Sequence, residues 1–267
     1  MLDYHYYSST NEAATHTLVL LHGIGGNSNI FYKQLDMFCA HFHVLCIDLP
    51  GHGDSPCVHS YEDHFNYDIV VREVEKTMEA LNIQRAHFVG ISLGSIVIHH
   101  LLQKAPERVL SAVLGGTITR FNAWSKGLLV IGQAIKHMTP HMWIYRLFAH
   151  VMMPKGRHAK SRSLFIREAK KMTRRNFFTW FTLIQNVEQT YKYAHRSPVP
   201  KLYISGEEDH LFVRALLKDI QRDIHAKALV LKKCGHVCNI EKAQAFNEAA
   251  IAFVHAHSKP ELTTASA

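Results

Sequence analysis

No apolar run in this chain approaches the ~20 residues needed to cross a bilayer; Gly127 to Ile135 is apolar but too short. The start, Met1-Leu2-Asp3-Tyr4-His5, lacks the basic opening and apolar stretch of a secretion signal. Cysteine is sparse and odd in number: Cys39, Cys46, Cys57, Cys234 and Cys238 show no framework spacing, which argues for reduced thiols rather than a disulfide scaffold. These absences make a cytoplasmic protein the expectation. Acidic residues are nearly missing from one stretch. Residues 120–196 carry 15 Lys and Arg against only Glu168 and Glu188, a local balance of +13 in a chain of net charge +8. No nucleic-acid motif accompanies that charge, so no nucleic-acid partner is expected.

What is present centres on Gly90-Ile91-Ser92-Leu93-Gly94, which follows the apolar strand residues Ala86 to Val89 and opens a helix faced by Ile96, Val97, Leu101 and Leu102. A strand-to-helix turn this sharp lifts the Ser92 hydroxyl clear of the sheet, and glycine is required on both sides where the chain doubles back. A serine hydroxyl is a poor nucleophile unaided. It needs a base, and the base needs an orienting acid. His236 follows the strand Ala228 to Leu231 and Gly235; Glu207, Glu208 and Asp209 follow the strand Lys201 to Gly206. The chain order is therefore serine, acid, histidine. A fourth element, His22-Gly23-Ile24-Gly25-Gly26, ends the strand Leu18 to Leu21. Glycine-rich turns of this kind leave backbone N–H groups pointing outwards, so the amides of Ile24 and Leu93 are the expected holders of a developing oxyanion.

With these motifs in place the chain resembles the α/β-hydrolase fold family, of the serine esterase and lipase type, over nearly its whole length. Further marks are Asp48-Leu49-Pro50-Gly51-His52-Gly53-Asp54-Ser55, after the strand Val44 to Ile47, and Gly235-His236. The resemblance implies that Asp209, rather than Glu207 or Glu208, is the acid partner, and that Ser92, Asp209 and His236 form a catalytic triad. Asp48 and His52 are read as structural. Ser95 is a departure, because many relatives carry a second glycine there, and it bears on helix packing more than on chemistry.

Strands expected near 17–21, 43–48, 86–90, 109–115, 199–205 and 228–232 alternate with helices near 31–38, 65–81, 94–104, 212–222 and 243–257. Such alternation predicts a doubly wound, mostly parallel sheet covered on both faces, with its site at the carboxyl ends of the strands. A length of 267 residues with 47% apolar content suits one domain. The resemblance implies a core of 1–119 and 197–258 with a helical cap of 120–196 over Ser92, followed by a flexible tail of 259–267.

The cap holds Trp124, Trp143 and Trp180, with Phe165, Phe177, Phe178 and Phe181 nearby, and the basic pairs Lys170-Lys171 and Arg174-Arg175. Aromatic residues flanked by basic ones suit either a lid resting on an anionic membrane surface or a solvated basic face over an apolar pocket. Cys234, His236 and Cys238 have metal-ligand residue types, but they alternate around the histidine needed for catalysis. No metal and no cofactor is expected. The resulting expectation is hydrolysis of a small-molecule carboxylic ester through an acyl-enzyme, with a medium or long acyl chain as in a monoacylglycerol or lysolipid. Short esters, thioesters, carbon–carbon bonds flanked by carbonyls and acyl transfer to an alcohol use the same groups. A small-molecule-binding signalling protein that keeps the triad is the alternative outside enzymology.

Overall fold

The computed structural model describes residues 1–61, 64–135, 138–192 and 194–258; the tail expected over 259–267 lies outside the described residues. Seven strands form one sheet: β1 (Tyr4–Tyr7), β2 (Thr17–Leu21), β3 (His43–Ile47), β4 (Ala86–Ile91), β5 (Val109–Gly115), β6 (Lys201–Gly206) and β7 (Ala226–Leu231), in the order β1-β3-β2-β4-β5-β6-β7. All pairings are parallel except β1 with β3, where Tyr4 lies opposite Ile47 and Tyr7 opposite Val44. Among the described residues no helix is long and apolar enough to cross a membrane.

Alternate residues of the central strands enter different cores, as a side-chain period of two requires. Val19, Leu21 and Phe88 join one buried cluster, while Leu18, Leu20 and Val89 join the other. The first cluster is closed by α2 (Tyr67–Ala80) and α3 (Leu93–Lys104), the second by α1 (Leu35–Cys39) and α11 (Ala243–His257). Two further helices, α9 (Val213–Asp219) and α10 (Cys238–Glu241), follow β6 and β7.

Between β5 and β6 the chain leaves the sheet, and the range expected as a cap falls here. It forms α4 (Ala123–Ile135), α5 (His141–Met152), α6 (Ala159–Ala169), α7 (Arg174–Leu183) and α8 (Val187–Tyr191). Trp180 on α7 is fully buried against the core and its Nε1–H donates to Pro50 O at 2.8 Å. Asn176 Nδ2 donates to Gly51 O at 3.0 Å and its Oδ1 accepts from Val58 N at 3.2 Å. The other two tryptophans behave differently: Trp124 is 79% and Trp143 67% exposed.

Three details differ from expectation. β1 was not anticipated, because four edge residues, mostly exposed, carry no inward–outward alternation. The helix expected near 31–38 is instead a 3-10 turn, Ser28–Phe31, followed by the short α1. The helix expected near 212–222 ends at Asp219 and passes into a 3-10 turn, Ile220–Arg222.

Candidate active site

Ser92 is the residue on which β4 turns into α3. Its φ of 52° and ψ of −108° lie outside the regions a side chain ordinarily adopts, at a cost of ~1–3 kcal/mol. The fold holds it there: Ser92 N–H donates to Gly115 O at 2.8 Å, and Ser95 Oγ–H donates to Ser92 O at 2.6 Å. Ser95, the departure noted in the sequence, thus ties down the first turn of α3. The two flanking glycines are sterically required. A β-carbon on Gly94 would lie 2.0 Å from Leu21 O, and one on Gly90 would lie 2.6 Å from the Gly94 carbonyl carbon.

His236 Nδ1 lies 2.7 Å from Asp209 Oδ2, and its Nε2 lies 3.1 Å from Ser92 Oγ. All three side chains are buried. With Asp209 accepting from Nδ1–H, Nε2 is left as the acceptor for the serine proton. The loops bearing the acid and the base are stitched together by Glu207 N–H to Leu231 O at 3.0 Å and Glu208 N–H to Cys234 O at 2.8 Å. Gly206 makes this possible, since a β-carbon there would sit 2.2 Å from Gly235 O.

The neighbouring acids are occupied elsewhere. Glu207 is exposed. Glu208 accepts from Lys155 Nζ at 2.7 Å and lies 3.1 Å from Arg157 Nη2 and 2.9 Å from His158 Nε2, all in the segment between β5 and β6. Those contacts, the Lys155 hydrogen bond first, hold its carboxyl below the usual range against the opposing effect of desolvation. In the sequence Glu208 stands only as a rival acid to Asp209. Its role as an anchor had no local signal, because its partners lie about fifty residues away.

The glycine-rich loop after β2 packs against the serine, and a β-carbon on Gly23 would lie 3.3 Å from Ser92 Cβ. Within it, Gly25 N–H donates to His52 Nε2 at 3.0 Å and Gly26 N–H to Gly23 O at 2.9 Å. Among the described residues no protein acceptor takes the N–H of Ile24 or of Leu93, the latter at the open first turn of α3. His22 Nε2 accepts from Leu49 N–H at 2.9 Å. Both rings act as neutral acceptors at these atoms, and burial pushes both pKa values down. His52 is therefore a brace for the loop, and Asp48 another, accepting from Ser28 N–H at 2.6 Å. Tyr145 of α5 completes the support by donating to Ile24 O at 3.0 Å. The thiols of Cys234 and Cys238 are pushed up by burial, Cys238 to about 12, so they stay protonated and serve as packing.

Two cavities meet at Ser92. One, of about 50 Å³, is lined by Ile24, Phe121, Leu129, Phe148, Met152 and Phe212 among other apolar side chains of the core and of α4 to α7. The other, of about 20 Å³, lies between Ile30, Leu164, Val237 and Ile240 beside His236. Phe165 lines both, and Tyr145 stacks on it with centroids 4.8 Å apart.

Comparison with known proteins agrees with this geometry. Residues 16–142 match the family model of the α/β hydrolase fold. The chain is 25% identical over 87% of its length to an (E)-2-((N-methylformamido)methylene)succinate hydrolase of Acinetobacter baylyi, covering 88% of that protein. It is 28% identical over 93% of its length to a 2-hydroxy-6-oxononadienedioate/2-hydroxy-6-oxononatrienedioate hydrolase of Paraburkholderia phymatum, covering 90% of it. Among solved structures, MenH from S. aureus superposes with a TM-score of 0.80 at 18% identity, over 97% of this chain and 100% of that one. The sheet order, the turn at Ser92 and these matches show the α/β-hydrolase fold, and the relatives of similar length are hydrolases.

Proposed function

We propose that this hydrolase cleaves a carboxylic ester through an acyl-enzyme on Ser92, with the acyl group seated in the aromatic cavity under α4 and α5. The observation that carries the reading is the Ser92–His236–Asp209 chain of contacts beside a cavity lined almost wholly by apolar side chains. In the first half, His236 Nε2 takes the Ser92 proton as Oγ attacks the carbonyl carbon, and Asp209 stabilises the imidazolium. The Ile24 and Leu93 amides receive the negative charge on the carbonyl oxygen, an interaction whose single donors are worth ~3–4 kcal/mol in such sites. His236 then gives its proton to the departing alcohol. In the second half it activates water, which releases the acid and restores the serine.

The cavity's volume sets the acyl size. About 50 Å³ corresponds to on the order of four water-sized occupants, enough for a short acyl group. A medium or long chain, as in a monoacylglycerol or lysolipid, requires α4 and α5 to part. Two features support such an opening at a lipid surface. The outward faces of these helices expose Trp124, Val130, Ile131, Trp143 and Leu147, and Arg146 stands exposed among them. A second reading, cleavage of a carbon–carbon bond beside a carbonyl, draws on the Paraburkholderia relative's name.

Steady-state turnover of an ester series from acetyl to palmitoyl, with and without anionic vesicles, tests both. Turnover is expected to vanish in Ser92→Ala and to peak at short acyl groups without vesicles, shifting to longer ones with them. Ester turnover that survives Ser92→Ala removes the proposal. Inertness to every ester, with cleavage of a vinylogous 1,5-diketone, favours the second reading.

A further inference from the structure

The small cavity beside His236 shares part of its lining with the protein surface. Ser161, Leu164 and Ile240 line it and also line a broad open groove of about 1370 Å³ on the outer side. That groove is walled by seven basic side chains, Lys33, Arg157, Lys160, Arg167, Lys171, Lys233 and Lys242, against two acidic ones, Glu168 and Glu241. Both acids are already engaged. Glu168 is held by Arg167 at 3.1 Å, Lys171 at 2.6 Å and Asn27 Nδ2 at 3.1 Å. Glu241 accepts from Gly235 N–H at 2.7 Å and from Ser161 Oγ–H at 2.9 Å. Arg157 is spent on Glu208.

Four lysines remain. Lys160, Lys233 and Lys242 enter no ion pair among the described residues, and Lys33 Nζ donates only to the neutral carbonyl of Ile240, at 2.9 Å. These four come from four separate segments: the turn before α1, the start of α6, the loop after β7 and the junction of α10 with α11. A solvated helix face would carry its charges on one element. Here distant parts of the sequence converge on one concavity, whose field of one sign attracts an anion.

We propose that this groove binds an anionic group, a carboxylate or a phosphate, carried on the alcohol arm of the ester. The inference rests on the hydrolase reading above and names its substrate class. The acyl group occupies the aromatic cavity; the alcohol arm runs from the scissile oxygen past Leu164 and Ile240, and its charge lies among Lys33, Lys160, Lys233 and Lys242. The ester C–O bond breaks as the Ser92 Oγ–acyl bond forms, and the serine proton passes through His236 to the leaving oxygen. The anionic alcohol is then released into the groove, and water completes the turnover by freeing the carboxylic acid.

The test compares matched esters: 1-butyrylglycerol 3-phosphate with 1-butyrylglycerol, and butanoyloxyacetate with its methyl ester. In the wild type, kcat/KM is expected to favour each charged member by at least ten-fold at low salt, with the preference shrinking as ionic strength rises. In the variant Lys160→Glu/Lys233→Glu/Lys242→Glu the charged-to-neutral ratio is expected to fall by ten-fold or more. Preference for phosphate alone or for carboxylate alone identifies which anion the groove takes. Equal kcat/KM for charged and neutral esters, with turnover still lost in Ser92→Ala, overturns the groove and leaves the hydrolase reading standing. If no ester is turned over, that reading has failed, and calorimetry with glycerol 3-phosphate decides the groove: binding weakened by the triple reversal supports it, and binding that is absent or unaffected overturns it.

Discussion

The sheet and the helical segment between β5 and β6 are held together by different means. In the sheet, the positions of Ser92, Asp209 and His236 follow from strand ends, backbone hydrogen bonds and contacts that only glycine permits. The helical segment is fastened by polar side-chain anchors, among them Trp180 to Pro50, Asn176 to Gly51, Tyr145 to Ile24, Asn27 to Glu168, Ser161 to Glu241 and the Lys155, Arg157 and His158 cluster on Glu208. Part of its apolar inner face, including Leu129, Phe148, Phe165 and Phe181, walls the larger cavity. Under the proposed function, one region fixes the chemistry and the other fixes what reaches it. Insertions that leave the anchors alone would change the second without touching the first.

The sharpest way to break this comparison is through the adjacent acids. Asp209→Asn is expected to lower kcat by on the order of 10⁴, the scale found when the orienting acid of a serine–histidine pair becomes an amide. Glu208→Gln should leave kcat nearly intact while raising KM and loosening the helical segment, which hydrogen exchange across α6 would register. Equal losses of kcat would erase the distinction between the regions.

A smaller effect separates them by stability. Gly94→Ala forces a β-carbon against Leu21 O, and its cost should lie at or above the top of the ~1–3 kcal/mol range for overpacking. Denaturant unfolding measures it. Gly127→Ala, at a helical glycine with open space around its missing β-carbon, should be neutral or stabilising by up to ~1 kcal/mol. A mild Gly94→Ala would mean the elbow is less tightly fixed than its geometry implies.

A further effect is graded with pH and belongs to the core. Burial lowers the pKa of His22, His52 and His99, and takes His87 to about 3 and His100 to about 4. The unfolded chain binds protons below about pH 6.5 that these native rings refuse, so stability present above that pH is lost as pH falls from 6.5 towards 4. Each ring contributes up to about 1.4 kcal/mol per pH unit in that window. Calorimetric melting at pH 7.5 and 5.5 should show the loss, and His87→Gln should reduce its slope. A Tm that does not change over this range would contradict the buried neutral rings.

Legibility in the sequence divides along the same line. Strand ends, the elbow at Ser92 and the separation of Asp209 from His236 were readable because each depends on short-range pattern: an apolar run, then glycine, then a polar residue. The expected helix at 243–257 coincides with α11 (Ala243–His257). The fates of the tryptophans were not readable, since Trp180 is buried by Pro50 and its neighbours, which are 130 residues away, while Trp124 and Trp143 meet no such surface. The basic groove was equally hidden. Local charge counting located the excess in residues 120–196, yet Lys33, Lys233 and Lys242 lie outside that range and join only through the fold.

Phe165 has one more consequence. As a wall common to both cavities at Ser92, it makes them two shares of a single volume rather than independent compartments. A rotation of the ring that widens the acyl side narrows the alcohol side by a similar amount, and the stack on Tyr145 sets the resting division. With the ester seated as proposed, selectivity for its two halves is coupled, so a bulkier acid is tolerated best with a slimmer alcohol.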